Sequence, residues 1–416
     1  MQFILEVFVP YEAQILRKMS CNFITGLNSF DKNPTPLYLV SENRQTKHWL
    51  FYQKSHDDGG GGRNVMAHVV ILGAGVMGSA FSLPLSDAGQ QVHLVGTHLD
   101  REWIDTIRTS GVHPKLKSKL PEQVVPFTHD QLCDALGDET DLIVFGVSSP
   151  GVEWAIQQLG PLLKNIGKQI PIMMLTKGLN AEEETIHILP DIVREGLASY
   201  GIHDVPVGAV GGPCLATELA VRRDCCVVIT YREQALVEWV RSLVAVPYYH
   251  TRPSTDILGV EVCAALKNFY ALAITHPRGL VEKSEKPSNR ALLFSSESGL
   301  FTQAMTEMTY LVNFLGGTDA SVNGWAGSGD LYGTCQIGRN GRMGRFLGFG
   351  LPYKETKAKY MPDDTVEGVD LALTIGPTLE RLIAKQRLDG ALLPLTRAII
   401  RTICHDQPMS IPWEQI

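Results

Sequence analysis

Apolar positions follow two rhythms along this chain of 416 residues. From Ala67 onward, short apolar runs alternate with segments of helical period. "AHVVILG" predicts a strand, "SAFSLPLSDAG" a helix ended by Gly89, and "QVHLVG" a second strand. "DLIVFGV", "IPIMMLT" and "CCVVIT" are further strand-like runs, apolar throughout rather than alternating. Such runs suit a parallel sheet covered on both faces, which predicts an α/β class with a doubly wound sheet. Around Asp256 the rhythm becomes helical: "ILGVEVCAALKNFYALAI", "SGLFTQAMTEMTYLVNFLGG" and "GVDLALTIGPTLERLIAKQ". The change places a domain boundary near Tyr249 to Asp256.

Residues 1–65 sustain neither rhythm and end in "DDGGGGRNV", whose four consecutive glycines make a flexible joint. They read first as an appendage or an upstream translational start, with a targeting or docking arm as the alternative. The expected division is therefore an extension over 1–65, a nucleotide-binding domain over 66–252 and a helical substrate domain over 253–416.

Bulk composition narrows the function classes. A formal charge of −7 offers no electrostatic reason for nucleic acid as a partner. No apolar run is expected to approach the roughly 18 residues a membrane-spanning helix needs. "MQFILEVFVP" is interrupted by Glu6 and has no basic segment before it, so it makes a poor secretory signal. Eight cysteines without a C-x-x-C pair, and twelve histidines without an H-x-x-x-H spacing, point to a reduced, cytoplasmic protein without a metal site.

Gly73, Gly75 and Gly78 in "VVILGAGVMGSAF" fit G-x-G-x-x-G. The match follows a strand, opens a helix and begins the first βαβ unit, the context of a dinucleotide loop in a Rossmann-type domain. The first glycine permits the tight turn, the second admits a pyrophosphate, and the third lets helix and strand pack closely. At the end of the second strand stand Gly96, Thr97 and His98, with Asp100 and Arg101 beyond. An acid on the ribose or an arginine on a 2′-phosphate would separate NAD from NADP. This stretch decides neither: Arg101 could face a 2′-phosphate, but it reads first as a solvated surface arginine.

"EVCAALKNFYALAI" is apolar on nearly every helical face after its first residue, yet Lys267 sits in its middle with Asn268 beside it. Either the ammonium snorkels to the surface along its stem, or it is a buried proton donor beside a carbonyl. Lys177 closes the apolar strand "IMMLTKG", at the end of an open α/β sheet where ligands gather. "GWAGSGDLYGTCQIGRNGRMG" predicts a glycine-rich loop carrying Asp330, Ser328, Thr334 and the pair Arg339 and Asn340. An arginine fork with a neighbouring amide suits a phosphate monoester, and Asp330 could neutralise a buried lysine.

In chain order, "GAGVMGSAF", "LTKGLN", "GGPCLATELA", "ALKNFYALA", "GSGDLYGTCQIGRN" and "TVEGVDLAL" resemble the glycerol-3-phosphate dehydrogenase family, from about Ala67 to about Arg401. The resemblance implies a Rossmann-type N-terminal domain, an all-α C-terminal substrate domain and an active site in the cleft. It implies interconversion of sn-glycerol 3-phosphate and dihydroxyacetone phosphate with NAD or NADP. It assigns catalysis to Lys267, Lys177, Asp330 and Thr334. The cofactor falls to Gly73, Gly75, Val76, Met77 and Gly78 with Lys177 and Arg339, and the substrate to Lys177, Lys267, Arg339 and Asn340. A homodimer handling a small phosphorylated substrate is expected. Three stretches depart from the family pattern: Thr217 replaces the lysine of "FAKE", "RNGR" replaces "RNRR", and the segment 275–303 is about ten residues longer and unlike its usual sequence, with Asn289 and Arg290 the nearest match to N-x-[RK]. These changes leave open the same chemistry on another small phosphorylated or carboxylated hydroxy compound, or an NAD(P)-binding sensor without turnover.

Overall fold

The computed structural model describes residues 66–284 and 293–416, and Val65–Ile416 forms one compact unit. The expectations for residues 1–65, Asn289 and Arg290 lie outside the described residues. Eight strands form the main sheet: β1 His68–Leu72, β2 Gln91–Val95, β3 Val124–Phe127, β4 Thr140–Phe145, β5 Ile172–Met174, β6 Val207–Gly211, β7 Cys225–Thr230 and β8 Tyr249–Ser254. Their spatial order is 8-7-6-5-4-1-2-3. The first six run parallel, β7 turns antiparallel to β6, and β8 lies parallel to β7. Order therefore reverses between β1 and β4, where a doubly wound sheet opens a crevice at its carboxyl edge. The central strands β1, β4 and β5 are buried almost completely, as their unbroken apolar runs require.

Helices dominate after Ser254. Those bearing on the site are α1 Val76–Asp87, within the sheet region, then α2 Ile257–Ile274, α3 Phe294–Phe314, α4 Asp330–Gln336, α5 Arg339–Leu347, α6 Glu367–Ala384 and α7 Pro394–Ile403. Helix α2 is the hub, packing on β6, α3, α4, α5, α6 and α7. Sixteen of its residues are buried, so it shows no single apolar stripe. The stretch Ile257–Lys283 is in fact long and apolar enough to cross a membrane, which corrects the sequence expectation. Its most apolar window is 89% buried inside the protein, so it is a core helix.

Asp256 fixes where α2 begins. Its carboxylate accepts from Gly259 N at 2.9 Å, Thr318 N at 3.0 Å, Thr318 Oγ1 at 2.7 Å and Ser321 Oγ at 2.7 Å. Glu307 on α3 plays a comparable part inside the core, accepting from the backbone N–H groups of Leu395 and Thr396, each at 2.7 Å, in the first turn of α7.

The glycine-rich stretch 324–344 is not the loop its composition predicts. It forms a turn of π-helix over Trp325–Gly329, then α4, then α5. Its glycines serve close packing instead. A Cβ on Gly327 would lie 2.1 Å from the Val322 carbonyl oxygen, and one on Gly344 2.3 Å from that of Leu272. Backbone atoms cannot yield, so only glycine fits at 327 against the preceding turn and at 344 against α2.

Candidate active site

Four segments meet at the carboxyl edge of the parallel strands. Gly73 to Gly78 follow β1, Gly146 follows β4, Lys177 lies just beyond β5, and Gly212 follows β6. The three glycines after β1 are glycines for different reasons. Gly73 has φ +115°, and a Cβ there would strike the Gly146 carbonyl carbon at 2.6 Å. A Cβ on Gly78 would lie 2.1 Å from the Gly73 carbonyl oxygen. Gly75 is unlike both: its φ is −64°, and the nearest atom to an added Cβ would be 3.9 Å away. Neither backbone nor packing demands glycine at 75, which leaves open space beside the loop.

Gly75, Val76 and Met77 are half-buried while Gly73 and Gly78 are buried, and no side chain caps the N-terminus of α1. That open, positive helix end fits a pyrophosphate. His113, fully buried, stiffens the loop from behind. Its Nε2 donates to the Ala74 carbonyl at 3.0 Å, while Nδ1 accepts from Lys115 N and Leu116 N. Burial lowers its pKa, in keeping with this neutral tautomer.

At the end of β2, Asp100 is occupied within its own turn, its carboxylate taking the N–H and the hydroxyl of Thr97, each at 2.8 Å. Arg101 forms an exposed ion pair with Asp130 at 2.8 Å. The only carboxylate of this turn is thus occupied by protein groups.

The core of the site is a triad of charges. Lys177 Nζ donates to Asp330 Oδ2 at 3.0 Å, Lys267 donates to Asp330 Oδ1, and the Gly212 N–H reaches Oδ2 at 3.3 Å. Lys267 is 8% exposed and Asp330 4%, so Lys267 does not snorkel to the surface. Burial would lower Lys177, but the Asp330 charge outweighs it and holds Lys177 above its ordinary value. For Lys267 burial wins: against the pull of Asp330 and with the push of Lys177, its pKa falls to about 8. Burial would raise Asp330, but the two ammonium groups hold it below the usual carboxylate range.

The other candidates stand around this triad. Thr334, one turn along α4, donates its hydroxyl to the Asp330 carbonyl oxygen at 2.7 Å. Asn340 is buried at the start of α5, where its Nδ2 donates to Asn268 Oδ1 at 2.9 Å and its Oδ1 accepts from Gly368 N at 2.8 Å. It thereby ties the neighbour of Lys267 to the first turn of α6. Arg339 is exposed and paired with Glu367. Within the divergent segment, Arg278 grips Glu297 with two hydrogen bonds of 2.9 Å and donates to the Cys335 carbonyl at 2.6 Å.

Sequence reasoning missed Gly146, Gly212 and Glu261. Gly146 and Gly212 carry no mark distinguishing them from other glycines. Glu261 did carry a signal, as a lone acid at the head of an apolar helix. It is completely buried, and among the described residues neither carboxylate oxygen has a hydrogen-bond partner. Burial pushes its pKa to about 8, with Lys177 acting in the opposite sense. Below about pH 4.5 the carboxyl is protonated in both folded and unfolded chains and costs nothing. Between about 4.5 and 8 only the unfolded form ionises, so each rise of one in pH lowers stability by about 1.4 kcal/mol. Glu261→Gln is therefore expected to gain in melting temperature over the parent at about pH 8.5, with the advantage shrinking toward about pH 5. A difference that does not change with pH would show that Glu261 is not held protonated.

The chain is similar to known proteins over both its sheet and its helical part. Residues 68–237 match the family described as NAD-dependent glycerol-3-phosphate dehydrogenase N-terminus, and residues 256–412 match its C-terminus. The NADP(+)-dependent glycerol-3-phosphate dehydrogenase of Archaeoglobus fulgidus is 34% identical over 288 residues, spanning 69% of this chain and 82% of that protein. A glycerol-3-phosphate dehydrogenase (NAD(P)+) of Coxiella burnetii is 30% identical over 294 residues, 70% of this chain and 80% of its own. The crystal structure of glycerol-3-phosphate dehydrogenase from Coxiella burnetii superposes with a TM-score of 0.66 at 26% identity, covering 84% of this chain and 97% of that one. These matches run through both the sheet and the helices that carry the lysine–aspartate triad. The chain belongs to the NAD-dependent glycerol-3-phosphate dehydrogenase family.

Proposed function

We propose that this protein interconverts sn-glycerol 3-phosphate and dihydroxyacetone phosphate with NAD or NADP. The observation that carries the reading is the convergence of Lys177 and Lys267 on one buried carboxylate, at the sheet edge that also holds the glycine loop. The Archaeoglobus relative is named for this activity with NADP, and the Coxiella relative for NAD(P). Gly73 to Gly78 would hold the pyrophosphate through Val76, Met77 and the open end of α1; once bound, the nicotinamide supplies or accepts the hydride.

The chain's own residues do the rest. In ketone reduction the Lys267 ammonium hydrogen-bonds the carbonyl oxygen and protonates it as negative charge develops there. In alcohol oxidation the neutral amine takes that proton back. A pKa near 8 keeps both forms of Lys267 populated close to neutral pH. Lys177, held charged by Asp330, adds positive potential at the same oxygen. The Asp330 carboxylate aims both ammonium groups, and Thr334 fixes the first turn of its helix. Arg339 anchors the phosphate by exchanging Glu367 for phosphate oxygens, with Asn340 and Asn268 setting the floor.

The test is NADH and NADPH oxidation by the purified protein with dihydroxyacetone phosphate, followed by absorbance. Rapid oxidation with either cofactor supports the reading. No oxidation with either, while both bind, overturns it.

The cofactor loop has its own test, independent of substrate. Because a Cβ at 75 meets no protein atom closer than 3.9 Å, Gly75→Ala is expected to fold with an unchanged melting temperature. The methyl group would occupy ligand space, so NAD(P)H affinity is expected to fall by about tenfold or more, roughly 1.4 kcal/mol. Unchanged affinity would remove Gly75 from the cofactor site.

A further inference from the structure

Strand β6 pairs with β7 in an antiparallel register that sets Ala209 opposite Thr230, Val210 opposite Ile229 and Gly211 opposite Val228. Beyond Gly211 the same register continues, because Cys226 N donates to the Pro213 carbonyl at 3.3 Å. The next pair along is Cys214 and Cys225. In an antiparallel ladder, hydrogen-bonded pairs alternate with closer, non-hydrogen-bonded ones, whose Cα atoms are about 4.5 Å apart. With Pro213 and Cys226 as the bonded pair, a ladder continued by one residue would set Cys214 and Cys225 in the close position, and a disulfide spans Cα separations of about 4.4–6.8 Å. The two thiols perturb one another's acidity, and both cysteines are free thiols. Cys225 is buried and Cys214 half-buried.

The segment that carries Cys214 also serves the triad. Gly212 N–H donates to Asp330, Pro213 lies beside Gly329 at the foot of α4, and the Cys214 thiol stands within the electrostatic reach of Lys177 and Asp330. An S–S bond would consume the Cys214 thiol, which stands near Lys177 and Asp330, and tie the 212–214 segment covalently to β7.

We propose that Cys214 and Cys225 form an oxidant-sensitive dithiol that closes to a disulfide and, in closing, ties down the 212–214 segment that supports Asp330 and lowers turnover. With hydrogen peroxide as oxidant, one thiolate attacks the O–O bond and becomes a sulfenic acid, and the displaced hydroxide leaves as water after taking a proton. The sulfur of the second thiol then attacks the sulfenic sulfur. The S–O bond breaks, and its oxygen departs as water with the thiol proton. In total, two thiols and one peroxide give one disulfide and two waters. The effect on turnover rests on the reaction proposed above, whereas bond formation does not.

The test treats the full chain with graded hydrogen peroxide, alkylates the remaining thiols and maps peptides without reduction. Arg222 and Arg223 lie between the two cysteines, so trypsin places them on separate peptides. Cys226 shares the Cys225 peptide, and mapping is therefore also done on Cys226→Ser. The expected result is a linked Cys214–Cys225 peptide in both proteins. In parallel, kcat/KM for NAD(P)H oxidation with dihydroxyacetone phosphate is expected to fall about tenfold and to recover with dithiothreitol. Cys225→Ser is expected to lack both the linkage and the reversible loss. Absence of the linked peptide while other cysteines are oxidised would overturn the proposal. A linkage without change in turnover, or an equal loss in Cys225→Ser, would also overturn it. Linkage is read by mass and needs no substrate, so failure of the pair to close is distinguishable from failure of the activity reading in untreated enzyme.

Discussion

Lys267→Ala is expected to lower kcat for ketone reduction by about 10²–10⁴-fold, the range carried by one positioned proton donor. The substitution removes the group that protonates the forming alkoxide and half of the positive charge around it. It leaves the glycine loop untouched, because Lys267 contacts Asp330 on the helical side of the cleft rather than Gly73 to Gly78. NAD(P)H affinity should accordingly stay within about threefold of the parent, the pattern of an interaction made mainly in the transition state. Lys177 remains paired with Asp330 in this variant, so Asp330 is not left without a partner and the fold is expected to survive. Stopped-flow kinetics with a separate fluorescence titration of cofactor checks both halves. A merely severalfold loss of turnover would take Lys267 out of the proton-transfer role.

Asp330→Asn is expected to damage stability as well as activity. Two ammonium groups would then face each other in a buried site without the carboxylate that holds them. Breaking a buried ion pair from one side costs about 3–5 kcal/mol. The loss has a pH signature. Without Asp330 a lysine's folded pKa drops far below its unfolded value near 10.4, so the folded chain gives up a proton that the unfolded chain keeps. The penalty is largest at low pH and shrinks as pH rises toward about 10, where the unfolded lysine also becomes neutral. Thermal unfolding of the variant at about pH 6, 7.5 and 9 should therefore show the deficit narrowing upward. A constant deficit would mean that packing, rather than charge, accounts for the loss.

Much of this architecture can be read from the chain because parallel strands leave a blunt signature. "VVIL", "LIVF" and "IMM" are apolar throughout, and all lie buried at the centre of the sheet. Lys267 announces itself by the same logic, as a charge in a helix otherwise buried on every side. What escapes is whatever depends on partners distant in sequence. The glycines from 324 to 344 suggest a loop by composition, yet they allow a helical layer to approach α2, which no local pattern encodes. Asn340 and Arg339 look alike as phosphate ligands in the sequence. The fold separates them, burying Asn340 against Asn268 and leaving Arg339 at the surface with Glu367. The pairing of Cys214 with Cys225 is likewise visible only once the register of β6 and β7 is known.

Everything in the proposed chemistry turns on Lys267 as the proton donor, tuned by burial and by Asp330. Its most direct test is the pH dependence of kcat/KM for dihydroxyacetone phosphate reduction, which reports groups in the enzyme before substrate binds. The expected profile falls as pH rises through about 8, because the reaction needs the ammonium form. For glycerol 3-phosphate oxidation the same group should produce a rise through about 8. A reduction profile that stays flat from about pH 7 to 9.5 would contradict the assignment of the proton to Lys267.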